Sequence, residues 1–110
     1  MKLIKSIIRP NKVDEVKDAL ARLNISGITI SEVRGHGKQK GHTAIYRGKE
    51  YDVSLLPKME IEVVVPESVL EDAIKAIIEA ARTGEIGDGR LFVLPVEQAY
   101  RIRTGERDFV

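Results

Sequence analysis

Six short apolar segments, in a fixed order, constrain the fold of this 110-residue chain more than any other feature. Four of them are short runs rich in isoleucine, valine and leucine, which indicate strands. Two others place apolar residues at helical spacing, the first through Val13, Val16, Leu20 and Leu23, the second from Val69 to Ala81. The four predicted strands read "KLIKSII", "ITISEV", "MEIEVVV" and "RLFVLPV".

Turn and capping residues separate these segments. Pro10 stops the first strand, and Asn11 is the expected cap of the first helix. Gly27 ends the first helical unit. Ser68 and Glu71 form a capping-box pattern, which predicts the start of the second helix.

The order strand, helix, strand, strand, helix, strand predicts an α+β, ferredoxin-like βαββαβ sandwich in which both helices cover one face of the sheet. The other face stays open. On the third predicted strand the open face would carry Glu60, Glu62 and Val64. On the second predicted strand it would carry either Thr29, Ser31 and Val33 or Ile28, Ile30 and Glu32. A partly apolar open face on so small a domain indicates contact with another copy of the chain.

Length and composition indicate one domain, residues 1–110, in the cytoplasm. The chain has no cysteine, which fits a reducing compartment, and its charged N-terminal segment "MKLIKSIIRP" lacks the apolar core of a signal peptide. The longest uncharged apolar runs are far shorter than the ~20 residues that span a bilayer. With 18 basic and 17 acidic residues, the chain lacks the basic excess of a dedicated nucleic-acid binder.

A polar stretch, "RGHGKQKGHTAIYRGKEYDVS", runs from Arg34 to Ser54 and shows no helical or strand period. It predicts a long loop between the second and third strands of the sheet. Loops of this length in compact domains are commonly functional. Its exposed tyrosines, Tyr46 and Tyr51, suit a contact surface or a modification target. The alternative is a solvated loop without a role.

Two further stretches suit anions. "TGEIGDGR", from Thr83 to Arg90, has three glycines that let backbone N–H groups converge on an anion, although a helix end followed by a turn explains it equally well. Arg101 and Arg103 in "RIRTGER" would share one face of an extended segment and reach the same phosphates, or form a solvated edge strand. Neither stretch is a Walker motif.

The chain resembles the P-II family of nitrogen-signalling proteins over residues 1 to about 107. "YRGKEY" resembles the family's loop signature and "TGEIGDGRLFV" its second signature, while "GKQKGHT" and "RIRTGE" match at the expected places. The resemblance names three segments: a T-loop at about 35–54, a glycine-rich B-loop at about 82–90 and a C-terminal loop at about 101–110.

The resemblance implies a homotrimer that signals nitrogen and energy status. Family members bind ATP or ADP in clefts between subunits and, with Mg-ATP, bind 2-oxoglutarate. Through the T-loop they regulate targets such as an ammonium transporter, a nitrogen-metabolism enzyme or a transcription regulator. Contact with a membrane would then be indirect, through a transporter, and nucleic acid would not be a partner.

Site residues follow from the same resemblance, position by position. The nucleotide would contact Gly27, Thr29, Gly35, Gly37, Lys38, Gln39, Glu62, Val64, Gly87, Asp88, Gly89, Arg90, Arg101 and Arg103, the last two from the neighbouring subunit. The 2-oxoglutarate would contact Gln39, Lys40, Gly41 and Lys58. Gln39 would ligate Mg²⁺, whose ligands are oxygen atoms. Tyr51 stands where some members are nucleotidylylated and many are not.

The chain departs from the family at two phosphate positions. Lys38 stands where many members have arginine, and Arg90 where many have lysine. The guanidinium, which can bind a phosphate through two nitrogens, is therefore at position 90 and not at position 38. The serine that is phosphorylated in one branch is absent. We therefore exclude that switch and leave the preference between ATP and ADP open.

Two other functions use the same strand order. A nucleotide-dependent phosphotransferase needs a nucleophile in the cleft, but His36 and His42 both lie in the polar stretch, so we expect no enzyme. An RNA-binding module needs aromatic residues on its central strands, and "KLIKSII" and "MEIEVVV" have none.

Overall fold

The computed structural model describes residues 1–35, 43–46, 49–52 and 55–110. Its strands are β1 (Lys2–Ile8), β2 (Thr29–Gly35), β3 (Thr43–Tyr46), β4 (Lys49–Asp52), β5 (Leu56–Val65) and β6 (Gly89–Pro95). Its helices are α1 (Val13–Arg22) and α2 (Leu70–Ala81), and a 3₁₀ turn precedes each of them, at Pro10–Lys12 and Glu67–Val69. No helix in these ranges is both long and apolar enough to cross a membrane.

Four strands form one antiparallel sheet in the order β2-β5-β1-β6. The helices α1 and α2 contact each other, and their apolar stripes pack on one face of the sheet. This arrangement confirms the predicted α+β, ferredoxin-like fold.

The polar stretch between β2 and β5 contains a second, two-stranded sheet, in which Thr43–Tyr46 pairs antiparallel with Lys49–Asp52. The prediction of a loop without strands was therefore wrong for these residues. Each strand has four residues and only one partner, so neither carries an alternation long enough to be recognised against the surrounding glycines and charges. The pairing of the two strands is a contact between backbone groups, and such contacts leave no periodic pattern in the sequence.

The core lies between the sheet and the two helices. Alternate residues of β1 and β5 point into it, because successive side chains of a strand face opposite sides. Ser6 lies on the same side of β1 as Ile4 and Ile8 and is 1% exposed. The buried apolar residues are Ile4, Ile8, Val16, Leu20, Ile61, Val63, Val65, Ala73, Ile77 and Ala81.

The pairing register decides which side of β2 faces the open side of the sheet. Thr29 pairs with Glu62 and Ser31 with Glu60, and the Ser31 hydroxyl lies 3.3 Å from the Glu60 carboxylate. The first of the two predicted sets, Thr29, Ser31 and Val33, therefore lies on the open face. Ile30 instead pairs with Ile61 and packs against the core.

The expected side-chain caps are not formed. Asn11 and Ser68 lie inside the 3₁₀ turns, and neither helix has a side-chain hydrogen bond at its N-cap. In both turns backbone carbonyls take the first N–H groups instead: the Lys12 N–H donates to the Arg9 carbonyl, and the Val69 N–H to the Pro66 carbonyl. At the other end of α1, Asn24 adopts a φ of 59° and the N–H of Ile25 donates to the Leu20 carbonyl, which closes the helix in a Schellman motif.

Candidate functional site

Residues 82–88 connect α2 to β6 and form a glycine-rich turn, which we call the glycine turn. The Asp88 carboxylate organises this turn. One oxygen accepts hydrogen bonds from the backbone N–H groups of Thr83 and Gly84, each at 2.8 Å. The other oxygen accepts from the Thr83 hydroxyl and, at 2.9 Å, from Arg9 Nε. The Thr83 hydroxyl in turn accepts from the Glu85 N–H at 3.1 Å. The side chain of Asp88 therefore holds the turn in shape.

Asp88 is held in its ionised form. Burial opposes the negative charge, but hydrogen bonds from the Thr83 hydroxyl, Arg9 and the N–H groups of Thr83 and Gly84 outweigh it and bring the pKa of Asp88 below its ordinary value. The carboxylate is thus a permanent acceptor for the turn at neutral pH.

Arg9 connects this turn to the end of β1. Its guanidinium donates to Asp88 and, through a second nitrogen, to the Ile86 carbonyl at 3.0 Å. Sequence reasoning missed Arg9, because it stands 77 residues before Ile86 and has no motif of its own. No pattern in the sequence signals this contact, which arises because the end of β1 lies beside the start of β6.

Glycines at the turn adopt backbone conformations that other residues rarely take. Gly84, Gly87 and Gly89 have φ values of 91°, 103° and 104°. Gly89 is also confined by space, since a Cβ there would lie 1.7 Å from the Ile7 carbonyl oxygen. The backbone N–H groups of Gly87 and Asp88 donate to no acceptor among the described residues. Such N–H groups suit an anion.

Lys58 reaches the same turn from β5. Its Nζ donates to the Gly87 carbonyl at 2.6 Å, and the residue is 9% exposed. Burial and the nearby Arg9 charge lower the pKa of Lys58, while Asp88 opposes that change. The structure therefore brings together five predicted site residues, namely Lys58, Gly87, Asp88, Gly89 and Arg90.

Three residues that the resemblance assigns to the nucleotide, Thr29, Glu62 and Val64, lie farther along the open face. Thr29 and Glu62 are direct cross-strand partners, and Val64 follows two residues later on the same side of β5. Gly27, with a φ of 75°, lies two residues before Thr29, and Gly35 ends β2. Glu62 is four residues from Lys58, about 13 Å along a strand. These positions line one strip of the open face, next to the glycine turn at one end.

Arg101 and Arg103 lie in a C-terminal hairpin after β6. Tyr100 and Arg107 form an isolated bridge, and the Arg101 N–H donates to the Glu106 carbonyl at 2.8 Å. Ile102–Thr104 form its turn, so the two arginines do not share a face of one extended segment, as the spacing had suggested. The predicted extended segment is absent here because the chain turns at Ile102–Thr104 and continues through Gly105, whose φ is 72°. The described polar contacts of Arg101 go to its own hairpin and not to the glycine turn.

Several predicted site residues lie outside the described residues: Gly37, Lys38, Gln39, Lys40 and Gly41. Tyr51 belongs to β4, where the backbone pairing alone is described. In the described ranges, no group of three or more His, Asp or Glu residues is placed to hold a metal.

Comparison with known proteins gives one consistent result. The family model described as "Nitrogen regulatory protein P-II" matches residues 1–106. The chain belongs to the P-II family. A nitrogen regulatory protein P-II of Azospirillum brasilense is 59% identical over 107 residues, covering 97% of this chain and 96% of the relative.

Two further P-II relatives are similar over nearly the whole chain. The Haemophilus influenzae protein is 56% identical and the Escherichia coli K12 "Nitrogen regulatory protein P-II 1" is 53% identical, each over 98% of this chain and 96% of its own length. This P-II chain therefore has a role in nitrogen regulation. The relatives are named as regulatory proteins, and a regulatory family implies contact with target proteins.

Proposed function

We propose that this P-II protein senses nitrogen and energy status by binding ATP or ADP and, together with Mg-ATP, 2-oxoglutarate, and that it transmits the result to target proteins through residues 35–54. The observation that supports this most is the glycine turn held by Asp88, with Lys58 beside it. A fixed turn with unpaired N–H groups next to a buried cation suits a charged ligand such as a phosphate.

The adenine would lie along the open face, where Thr29 and Glu62 offer a hydroxyl and a carboxylate side by side. An adenine edge presents both a donor and an acceptor, so this pair suits it chemically. The phosphates would extend toward the glycine turn and Arg90. In this arrangement the two ends of a nucleotide would lie at the two ends of one strip.

The site would be completed by a second copy of the chain. The described contacts of Arg101 keep it in its own hairpin, away from the glycine turn of the same subunit. A homotrimer would let the hairpin of one subunit reach the phosphates held by its neighbour. The apolar part of the open face supports such an assembly.

The 2-oxoglutarate would use Lys58 together with Gln39, Lys40 and Gly41. Lys58 is nearly buried, so an anion beside it would gain more from its charge than from an exposed lysine. Gln39 carries an amide oxygen of the kind that Mg²⁺ accepts. When bound, Mg²⁺ would supply a positive charge shared between the nucleotide phosphates and the 2-oxoglutarate.

Titration calorimetry with ATP and with ADP tests the nucleotide site. Arg103→Ala should raise the Kd of ATP by about 10- to 150-fold, because a charge-assisted hydrogen bond contributes about 1.5–3 kcal/mol. Arg22→Ala, which removes an exposed arginine in the last turn of α1, is the matched control and should leave the Kd unchanged. If the wild-type protein bound neither nucleotide, the proposed function would be wrong.

A further inference from the structure

The C-terminal hairpin holds Asp108 close to Arg101. The Asp108 N–H donates to the Ala99 carbonyl at 2.7 Å, and the Gly105 N–H donates to the Arg101 carbonyl at the same distance. The Arg107 guanidinium lies 6.0 Å from the centre of the Tyr100 ring and 5.9 Å from that of Phe109. The backbone and side chains on both sides of Asp108 are therefore fixed.

Asp108 and Arg101 form an ion pair. Arg101 Nη2 lies 3.5 Å from Asp108 Oδ1, and the two side chains are 59% and 30% exposed. The pair thus lies at the surface, where an incoming ligand can replace the carboxylate. Exposed ion pairs are weak, so a ligand with several negative charges can compete with Asp108 for the guanidinium.

We propose that Asp108 tunes nucleotide affinity, because it competes with the nucleotide phosphates for Arg101 and so lowers the affinity of the site. This inference rests on the proposed nucleotide function. In this structure the Arg101 guanidinium is paired with Asp108. Binding of a nucleotide exchanges that carboxylate for phosphate oxygens, which offer Arg101 a bidentate partner.

Calorimetric titration of ATP into the Asp108→Asn protein tests the competition. Asparagine keeps the size of the side chain and removes its charge, so the Kd of ATP should fall roughly two- to fivefold, the range that corresponds to an exposed ion pair. The decrease should be smaller at high salt, which screens exposed charges. Glu106→Gln removes a carboxylate from the same hairpin that forms no ion pair with Arg101, and it should leave the Kd nearly unchanged.

A double-mutant cycle separates competition for Arg101 from general repulsion of the phosphates. In the Arg101→Gln background, Asp108→Asn should no longer tighten ATP. An unchanged or higher Kd for Asp108→Asn alone, or an equal gain with and without Arg101, would overturn the inference. Both results are distinct from a failure of the proposed function, in which the wild-type chain binds neither ATP nor ADP and both proposals are wrong.

Discussion

The side chain and the backbone N–H of Asp88 have different surroundings. Its carboxylate faces inward and accepts hydrogen bonds from Thr83, Gly84 and Arg9, whereas its backbone N–H donates to no described acceptor. The family resemblance placed Asp88 beside the phosphates, where a carboxylate would repel them. In the structure the hydrogen bonds from Thr83 and Gly84 and the Arg9 guanidinium compensate the charge of the carboxylate, and the backbone N–H is the part of Asp88 that suits an anion.

Asp88→Asn should lower the free energy of unfolding by about 1–3 kcal/mol at pH 7, since its amide group cannot accept at both former oxygens. The folded state lowers the pKa of Asp88, so the contribution of its charge is complete above the unfolded-state pKa of about 3.9 and is lost as the pH falls through the folded-state pKa. Urea unfolding at fixed protein concentration should therefore show the difference between the two proteins shrinking below about pH 4.

Glu85→Gln is the control for Asp88→Asn. It removes an exposed carboxylate from the same turn, and its side chain forms no hydrogen bond or ion pair with the described residues. Its effect on unfolding at pH 7 should stay within about 0.5 kcal/mol. Equal effects of the two substitutions would contradict the role assigned to the Asp88 carboxylate.

The unusual backbone conformation of this turn could be predicted from the sequence, but the contacts of its side chains could not. Three glycines in eight residues indicated unusual backbone conformations, and φ values above 90° are found at all three. The partners of Asp88 and Lys58 depend on contacts across the sheet, between residues that are distant in sequence. Arg9 was missed for that reason.

At the scale of elements, the glycine turn and β6 meet at a point of very close backbone approach. Gly89 pairs with Ile8, and its α-carbon faces the Ile7 carbonyl. This approach lets β6 begin immediately after the turn, so Arg90 takes its place on the open face one residue later. The position of the candidate phosphate contacts thus depends on how β6 pairs with β1.

Two alanine substitutions should separate backbone strain from steric exclusion. Gly84→Ala should lower the free energy of unfolding by about 1–2 kcal/mol, because φ is positive there but no atom lies within 4 Å of the new Cβ. Gly89→Ala should cost more than about 3 kcal/mol, because its Cβ would lie 1.7 Å from the Ile7 oxygen and the strands must separate. Urea unfolding of both variants, followed by circular dichroism, measures the difference, and equal losses would contradict the close approach.

The elements themselves were predicted well where tertiary packing requires a regular apolar pattern. Both helices and the central strands β1 and β5 bury one face, so their periodicity shows in the sequence. The outer strands β2 and β6 only pack partly buried residues, Ile30 and Leu91, against the core. The β3–β4 hairpin lies outside that sheet, and the helix starts follow from backbone turns after Pro10 and Pro66. Neither feature leaves an apolar period, which is why the predictions failed there.

At the scale of the whole molecule, an isolated chain leaves apolar residues of its open sheet face in contact with water. Leu3 pairs with Val64 on one side and with Leu94 on the other, and Leu94 is 41% exposed. Phe92 on the same face is 43% exposed. These residues form one patch at the end of the open face that is remote from the glycine turn, and such a patch favours contact with another copy.

We expect sedimentation equilibrium to give about three times the 12.3 kDa mass of the chain. Leu94→Glu should shift the protein toward monomers, because it places a charge in the apolar patch of the proposed interface. Ile78→Glu changes a residue of similar exposure, 42%, on α2, on the other side of the sheet, and should leave the trimer intact. A wild-type monomer at micromolar concentration would contradict the assembly and, with it, a nucleotide site shared between subunits.

The proposed binding site would draw its residues from distant parts of the molecule, and this limits what the sequence could predict about it. Strand alternation and the pairing register put Thr29, Glu62 and Lys58 on one face of the sheet, but only the family resemblance assigned them to ligands. In the proposed site the arginines of the C-terminal hairpin would reach the glycine turn of a second subunit, and no pattern in one chain specifies that arrangement. Their assignment came from the family resemblance.

Binding of 2-oxoglutarate in the presence and absence of nucleotide tests the central proposal most directly. Calorimetric titrations with Mg²⁺ should show binding with ATP present, and much weaker or no binding with ADP or without nucleotide, because Lys58 alone compensates one of the two carboxylates. Coupling between two ligands is reciprocal, so 2-oxoglutarate should tighten ATP by the same factor, commonly 1–3 kcal/mol. Lys58→Met should abolish or strongly weaken the binding seen with ATP. Equal 2-oxoglutarate affinity in all three conditions would contradict the proposed sensing mechanism, even if the trimer and the nucleotide site were found as expected.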